Sequence, residues 1–292
     1  LSGLDIEKME GDILNIDAVR KALKGVDTLF HLAAVYSIWM KDWSRIYEVN
    51  LQGSRNILWS ALKADINRVV YTSSIAAIGI KPGMEASTEE TVFNQYTLGN
   101  HYVLTKYLSQ QEALGFAGNG LDLVVVNPCF PFGTNDRVPT PTGQMIVDIL
   151  SGLNRSSLNG GINIVDVRDV ARGHILAAKK GRKGELYILG NKNVTMDEMM
   201  SLVRNVSGIK RVLLPKAPRA VLKAFTAGLT WWSDHISHKP PMSTPAEVKY
   251  VSQYLFFDSA KARNELGLVF TPIEESLHNS INWFIEKGYV KV

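Results

Sequence analysis

Three short apolar runs constrain this chain more than any other feature. Thr28 to Ala34 (TLFHLAA), Arg68 to Ser73 (RVVYTS) and Asp122 to Asn127 (DLVVVN) are nearly continuous instead of alternating. A strand of that kind is buried on both faces, as in a parallel sheet covered by helices. Helical stretches separate the runs. Ile46 to Lys63 carries apolar residues at Ile46, Val49, Ile57, Leu58, Ala61 and Leu62, with Gly53 and Asn56 as the odd residues. A second helix holds Tyr102 and runs to about Ala117. Residues 4–14 (LDIEKMEGDIL) alternate loosely and read as a further strand turning at Gly11-Asp12. Ile16 to Gly25 reads as a short amphipathic helix ended by Gly25. This order argues for an α/β fold, a Rossmann-like doubly wound parallel sheet.

The pattern changes after Pro128. Cys129 to Thr142 (CFPFGTNDRVPTPT) is rich in Pro and Thr and reads as a shaped loop. Gly143 to Leu150 is helical, Ile162 to Val170 leads into a helix through Ala178, and Leu186 to Leu189 is a short strand. Thr195 opens a helix through a capping box with Glu198. Asp258 caps a helix that Gly267 ends, and Thr271-Pro272-Ile273-Glu274 opens the last one with Thr271 as cap. These pieces read as a small mixed lobe over residues 136–292. Residues 1–135 form the main domain, to which segments near 160–180 return.

Of the 292 residues, 46% are hydrophobic and 21% charged, an ordinary globular balance. The single Cys129 excludes an internal disulfide. The net charge of +4 is scattered, with no basic block, so no nucleic acid is expected. No apolar run reaches the roughly 18 residues of a transmembrane helix, and no secretory leader is read. No His, Cys, Asp or Glu cluster has metal-ligand spacing. Pro218 to Trp232 is amphipathic and carries Trp231-Trp232. Core packing is the favoured reading of that pair, with a substrate-lobe wall, a dimer surface or peripheral membrane contact as the alternatives.

Tyr102 and Lys106 are four residues apart, so on a helix they share a face. An ammonium beside a phenol lowers the phenol pKa and fits it for proton transfer to a substrate oxygen. Any surface Tyr and Lys give the same string, so the surroundings decide. In a doubly wound sheet the ligand lies beyond the carboxyl ends of the strands. Ala33-Ala34, Ser73-Ser74 and Asn127-Pro128 each follow one of the three runs, and the Tyr102 helix lies between the last two.

Together these strings resemble the extended short-chain dehydrogenase/reductase superfamily, in its NAD-dependent epimerase/dehydratase branch. The residues that carry the resemblance are Gly11-Asp12-Ile13, Phe30-His31-Leu32-Ala33-Ala34, Asn50-x-x-Gly53-x-x-Asn56, Tyr71-Thr72-Ser73-Ser74, Tyr102-x-x-x-Lys106, Val126-Asn127-Pro128 and Val165-Asp166-Val167-Arg168-Asp169-Val170-Ala171. Phe256-Phe257-Asp258-Ser259-x-Lys261-Ala262-Arg263-x-x-Leu266-Gly267 adds to them. Within the branch, Leu98-Gly99-Asn100-His101-Tyr102 and Pro139-Thr140-Pro141-Thr142-Gly143 look like the dihydroflavonol-4-reductase-like proteins and the hopanoid-associated sugar epimerase group.

The resemblance implies residues 1–135 as a dinucleotide-binding domain and 136–292 as mainly a substrate lobe. It implies a cytoplasmic enzyme using NAD or NADP on a small molecule, a ketone, aldehyde or sugar derivative. Tyr102 exchanges the proton, Lys106 tunes it and bonds the nicotinamide ribose, and Ser74 orients the substrate oxygen. Asp12 and Ile13 contact adenine, although Asp12 also reads as a turn residue. Ala33 and Ala34 line the pyrophosphate–ribose path, Asn50 ties a loop near the cofactor, and Thr72 and Ser73 border it. Asn127 and Pro128 sit by the nicotinamide amide. His101, Pro131, Thr140 and Thr142 fall to the substrate, while His31 is structural. A homodimer packs through the helices near 46–63 and 100–117.

One departure stands out. The superfamily opens with a strand, a glycine-rich turn and a helix that hold the pyrophosphate. Gly115-x-x-Gly118 precedes a strand instead of following one. The expectation is that this first unit lies upstream of Leu1. Reductase and epimerase share the Ser–Tyr–Lys machinery, and Arg137, Arg168 and Arg211 are the candidates for a sugar-nucleotide diphosphate. A dinucleotide-sensing protein without turnover and an inactive fragment are the rivals from another class.

Overall fold

The computed structural model describes residues 3–153, 159–208 and 219–290. Arg211 therefore lies outside the described residues. The first helix, α1 (Ile16–Ala22), is capped by Asn15, whose side chain accepts from Asp17 and Ala18. Strand β1 (Thr28–His31) leads to α2 (Ser44–Tyr47), which passes through a π-helical turn at Glu48–Gly53 into α3 (Ser54–Lys63). β2 (Arg68–Thr72), α4 (His101–Gly118) and β3 (Leu123–Pro128) follow. Then come β4 (Phe130–Phe132), α5 (Pro141–Ser151), β5 (Gly161–Asp166), α6 (Val167–Lys180) and β6 (Leu186–Leu189). β7 (Lys192–Thr195), α7 (Met196–Ser207), α8 (Arg219–Trp232), α9 (Pro245–Val251), β8 (Tyr254–Leu255) and α10 (Ile273–Glu286) close the order.

Two sheets result. The first is all parallel, in the order β1-β2-β3-β6. The second runs β4-β5-β7, with β8 beside β5. Alternate residues of the first sheet sort its two faces. Val69, Tyr71, Leu123 and Val125 pack with α1, α3 and α4. Val70, Val124 and Val126 face α6 and the core of the second sheet. The helices on both faces are the expected doubly wound arrangement.

The motif Asn50-x-x-Gly53-x-x-Asn56 acquires a physical reason here. The Asn50 side chain accepts from Val35 N at 2.7 Å and donates to Val35 O at 2.9 Å, holding the loop after β1 like an added strand. A Cβ on Gly53 would stand 2.5 Å from the end of Ile13. Asn56 donates to the carbonyls of Ile13 and Leu14 at 3.0 and 3.1 Å.

Several expectations are corrected. Residues 4–14 form no strand: residues 4–12 are exposed and find no ladder partner among the described residues. β1 ends at His31, not Ala34, because Asn50 takes the backbone of Val35. Nor is β1 covered on both faces. It is a sheet edge, and Phe30 is 39% exposed. The loop after Pro128 contains β4, an edge strand in which Pro131 can lack its N–H, and α5 begins at Pro141 under a Thr140 cap. Thr271 caps nothing: its N–H and hydroxyl go to the buried Asp169 carboxylate at 2.7 and 2.8 Å. Trp231 and Trp232 are not core, because α8 turns Thr226 inward instead.

Candidate active site

The carboxyl ends of β2 and β3 meet the first turns of α4. Asn100 caps that helix by accepting from Val103 N, which fixes where Tyr102 and Lys106 point. Lys106 is almost wholly buried. Among the described residues its one hydrogen bond runs to the Thr72 carbonyl at 2.9 Å, and its ammonium stands 5.9 Å above the Tyr71 ring. Burial holds its pKa down to about 8.

The Ser74 hydroxyl is near enough to the Tyr102 phenol to lower its pKa and accepts from Ala76 N at 3.1 Å. The phenol is raised, not lowered. Burial pushes it up, the Ser74 hydrogen bond pulls part of that back, and Tyr71 adds to the rise. The lowering expected from Lys106 does not prevail, since the ammonium is turned to Thr72. Tyr36 meets the Tyr102 ring edge-on at 4.7 Å.

Asn127 donates to the Ser74 carbonyl at 2.8 Å and to Gln110 at 2.7 Å, while its own buried carbonyl oxygen has no partner among the described residues. The buried Ser73 hydroxyl beside it also has none. Thr72 Oγ1 is bonded to His174 at 2.9 Å, and Asn50 reaches Thr105 at 3.2 Å. Ser74 thus lies beside Asn127 and Tyr102, and Lys106 beside Thr72, at the ends of β2 and β3, where Pro128 still pairs with Leu189. A buried ammonium with two spare protons and two orphaned polar atoms fit the hydroxyl- and amide-rich nicotinamide riboside end of a dinucleotide.

Other anticipated residues lie apart from this group. Ala33 and Ala34 are exposed at the end of β1. Asp12 is an exposed turn residue accepting from Leu14 N, and Ile13 packs against α3. Thr140 and Thr142 bond each other at 3.0 Å, and Asp136 accepts from Thr140. Pro131 pairs with Val165 inside the second sheet. His101 stacks on Trp43 at 4.4 Å and bonds the Tyr47 hydroxyl at 2.9 Å. It borders a cavity of about 300 Å³ with Ile38, Trp39, Met40 and Pro245.

Three groups went unread in the sequence. Tyr36 follows β1 with no motif around it. Tyr250 and Glu247 come from α9, far along the chain; Glu247 adds to the rise of the Tyr36 phenol, and Tyr102 and Tyr36 add to that of Tyr250. Only tertiary structure unites them.

A family profile described as the NAD dependent epimerase/dehydratase family matches residues 3–190. The chain belongs to that family. It is 37% identical over its whole length to a Synechocystis sp. protein named for dihydroflavonol 4-reductase, of which it spans 85%. It is 32% identical to the sterol demethylase protein B of Methylococcus capsulatus, over 99% of this chain and 88% of that protein. Among solved structures, gox2253 superposes with a TM-score of 0.85 at 34% identity, covering 99% of this chain and 88% of the other. A nucleoside-diphosphate-sugar epimerase from Pseudomonas aeruginosa, PA4631, shares the fold with a TM-score of 0.76 at 24% identity. The chain is thus an extended short-chain dehydrogenase, of the class of NAD-dependent oxidoreductases and epimerases.

His31, read as structural, is buried between the Ser54 hydroxyl at 3.0 Å and the Tyr71 ring. Burial first, then the Lys106 charge, hold its pKa down to about 4 against the ordinary 6.5. The unfolded chain therefore binds the extra proton between those values. The contribution to stability is complete above pH 6.5 and lost as pH falls toward 4. Chemical denaturation should show the His31→Gln variant losing about 2 kcal/mol less than the parent between about pH 7 and pH 4.5. An identical loss in both contradicts this.

Proposed function

We propose that the chain is a reductase that delivers a hydride to a carbonyl carbon and a proton to its oxygen, with NAD or NADP as the dinucleotide. The observation that carries this reading is the buried Lys106 ammonium, one helical turn from Tyr102, with a single protein partner among the described residues, together with Ser74 at the Tyr102 phenol. When bound, the dinucleotide supplies the hydride. The chain supplies the rest. Ser74 holds the substrate oxygen by a hydrogen bond. Tyr102 gives its phenolic proton to that oxygen as negative charge develops there. Lys106 stabilises the phenolate left behind and offers its remaining N–H groups to the ribose hydroxyls. The orphaned oxygens of Asn127 and Ser73 suit the nicotinamide amide.

The pyrophosphate requires a glycine-rich turn, which the described residues do not include. The open edge of β1, with Phe30 and Leu32 exposed, is where a sheet of this type continues. Ala33 and Ala34 leave room beside it. Asp12, Ile13 and Asn50 keep their proposed places on the adenine and loop side.

Two features favour reduction over sugar-nucleotide epimerisation. A raised Tyr102 pKa keeps the phenol protonated at neutral pH, ready as a donor. The cavity by His101 is lined by Trp39, Trp43, Ile38 and Met40, and its described lining carries no Lys or Arg for a diphosphate. Arg168 is taken by Asp166 and Glu275, at 2.7 and 3.2 Å. An aromatic or polycyclic ketone or aldehyde therefore suits the site best. The relatives named for dihydroflavonol 4-reductase and sterol demethylation act as guides to which to try first.

We place the enzyme in the cytoplasm. We also assign a homodimer to the outer faces of α3 and α4. Trp59 and Leu108 are exposed there and Phe116 meets Trp59 edge-on. Light scattering should give a dimer mass that Trp59→Asp reduces to that of one chain; an unchanged mass removes the assignment.

Reduction of a dihydroflavonol, a 3-ketosteroid and UDP-glucose-derived ketosugar should be followed by NADH and NADPH oxidation. Tyr102→Phe should lower turnover by about 10²–10⁴-fold with nucleotide binding retained. Unchanged turnover in that variant, or activity only on the ketosugar, contradicts the proposal.

A further inference from the structure

Thr72, the last residue of β2, is held by two helices at once. From α4, the Lys106 ammonium donates to its carbonyl at 2.9 Å. From α6, His174 stands with Nε2 2.9 Å from its hydroxyl. The two helices belong to opposite faces of the first sheet, as the packing of Tyr71 and Val70 shows. One residue thus joins a buried imidazole to the buried ammonium.

The chemistry fixes the sense of these bonds. His174 Nδ1 lies 2.8 Å from the Val170 carbonyl, which can only accept. Nδ1 therefore carries the ring proton. Burial lowers the ring pKa below its ordinary value, and the Val170 bond offsets only part of that. At neutral pH Nε2 is bare and accepts from the Thr72 hydroxyl.

Thr72 is where the sheet itself gives least support. The last pair of β1 with β2 is His31 with Tyr71, so Thr72 lies beyond that ladder. A β-branched side chain is stiff at χ1, so a bond to its hydroxyl restrains the residue whose carbonyl receives Lys106. The helix that supplies His174 is pinned in turn. Asp166 caps α6 by accepting from Arg168 N at 2.7 Å, and Asp169 in its first turn accepts from Thr271 N at 2.7 Å. A Cβ on Gly173 would meet the Leu189 side chain at 2.8 Å, so α6 lies close against the sheet. The Val165–Ala171 run thereby sets the register that brings His174 to Thr72.

We propose that His174 is a positioning residue for Lys106, acting through Thr72. On the function proposed above, the ammonium so placed meets the dinucleotide, and His174 contributes to nucleotide affinity at one remove.

Two measurements on the full natural chain test this. With lysine labelled at its ε-carbon, the NMR signal of Lys106 is identified by its loss in Lys106→Met. In the nucleotide-free protein that signal should move in His174→Leu and return in His174→Gln, whose amide oxygen can accept from Thr72. In calorimetry with NADH and NADPH, His174→Leu should weaken binding about three- to tenfold, and Thr72→Val about equally. The two together should lose no more than either alone, and His174→Leu should cost nothing further in Lys106→Met. Thr72→Val makes the same comparison if His174→Leu fails to fold. An unmoved Lys106 signal, or losses that add, overturns the proposal and leaves His174 as packing between α6 and the sheet. Lys106→Met binding nucleotide like the parent defeats the proposed function instead, and the lysine signal then decides alone whether His174 places the ammonium.

Discussion

The structure turns on one buried ammonium. Lys106 is out of water, and a lone cation in that position is costly unless something answers it. The protein answers with one backbone carbonyl, at Thr72, and the face of Tyr71. That carbonyl belongs to the last residue of β2, one past the final pair with β1 and still beside Val126 of β3. The strand end, the cap at Asn100 and the register of α4 all serve to bring these groups together. The charge is felt further off, where it adds to the burial that keeps His31 neutral. On the function proposed above, the ligand brings oxygen atoms to the ammonium.

Around that charge the polar groups divide into satisfied and waiting. Asn50, Asn56, Thr72 and His174 are engaged in holding loops and helices. The Ser73 hydroxyl and the side-chain oxygen of Asn127 have no partner among the described residues. The division separates scaffold from site more sharply than position in the chain does. It also assigns His31 to the scaffold, since its one described bond is to Ser54. The cavity beside His101 takes Trp39 and Trp43 from the first half of the chain and Thr230, Asp234, Thr244 and Pro245 from the second, so both halves wall it.

Much of this was legible in the sequence, for local reasons. Apolar runs mark strands whose faces are covered, and β2 and β3 obey that rule fully. The capping box at Thr195 and Glu198 forms as spelled, with both reciprocal bonds present. The misreadings came where a distant partner decides. Residues 4–14 have strand-like alternation but no neighbour to pair with among the described residues. Thr271 has the chemistry of a cap, yet Asp169 on another helix claims it. Trp231 and Trp232 have the composition of a core, and only the packed helix reveals that Thr226 occupies the inside. The Tyr102 pKa belongs to the same group: spacing puts Lys106 nearby, while burial, which spacing does not report, sets the sign.

Calorimetric titration of the full natural chain with NADH and NADPH, beside Lys106→Met, tests the central claim most directly. One of the two nucleotides should bind one to one, and the substitution should weaken that binding at least tenfold, as loss of charged hydrogen bonds to the ribose requires. Absence of binding by either nucleotide, or equal binding by Lys106→Met, would mean that the buried ammonium serves the fold alone.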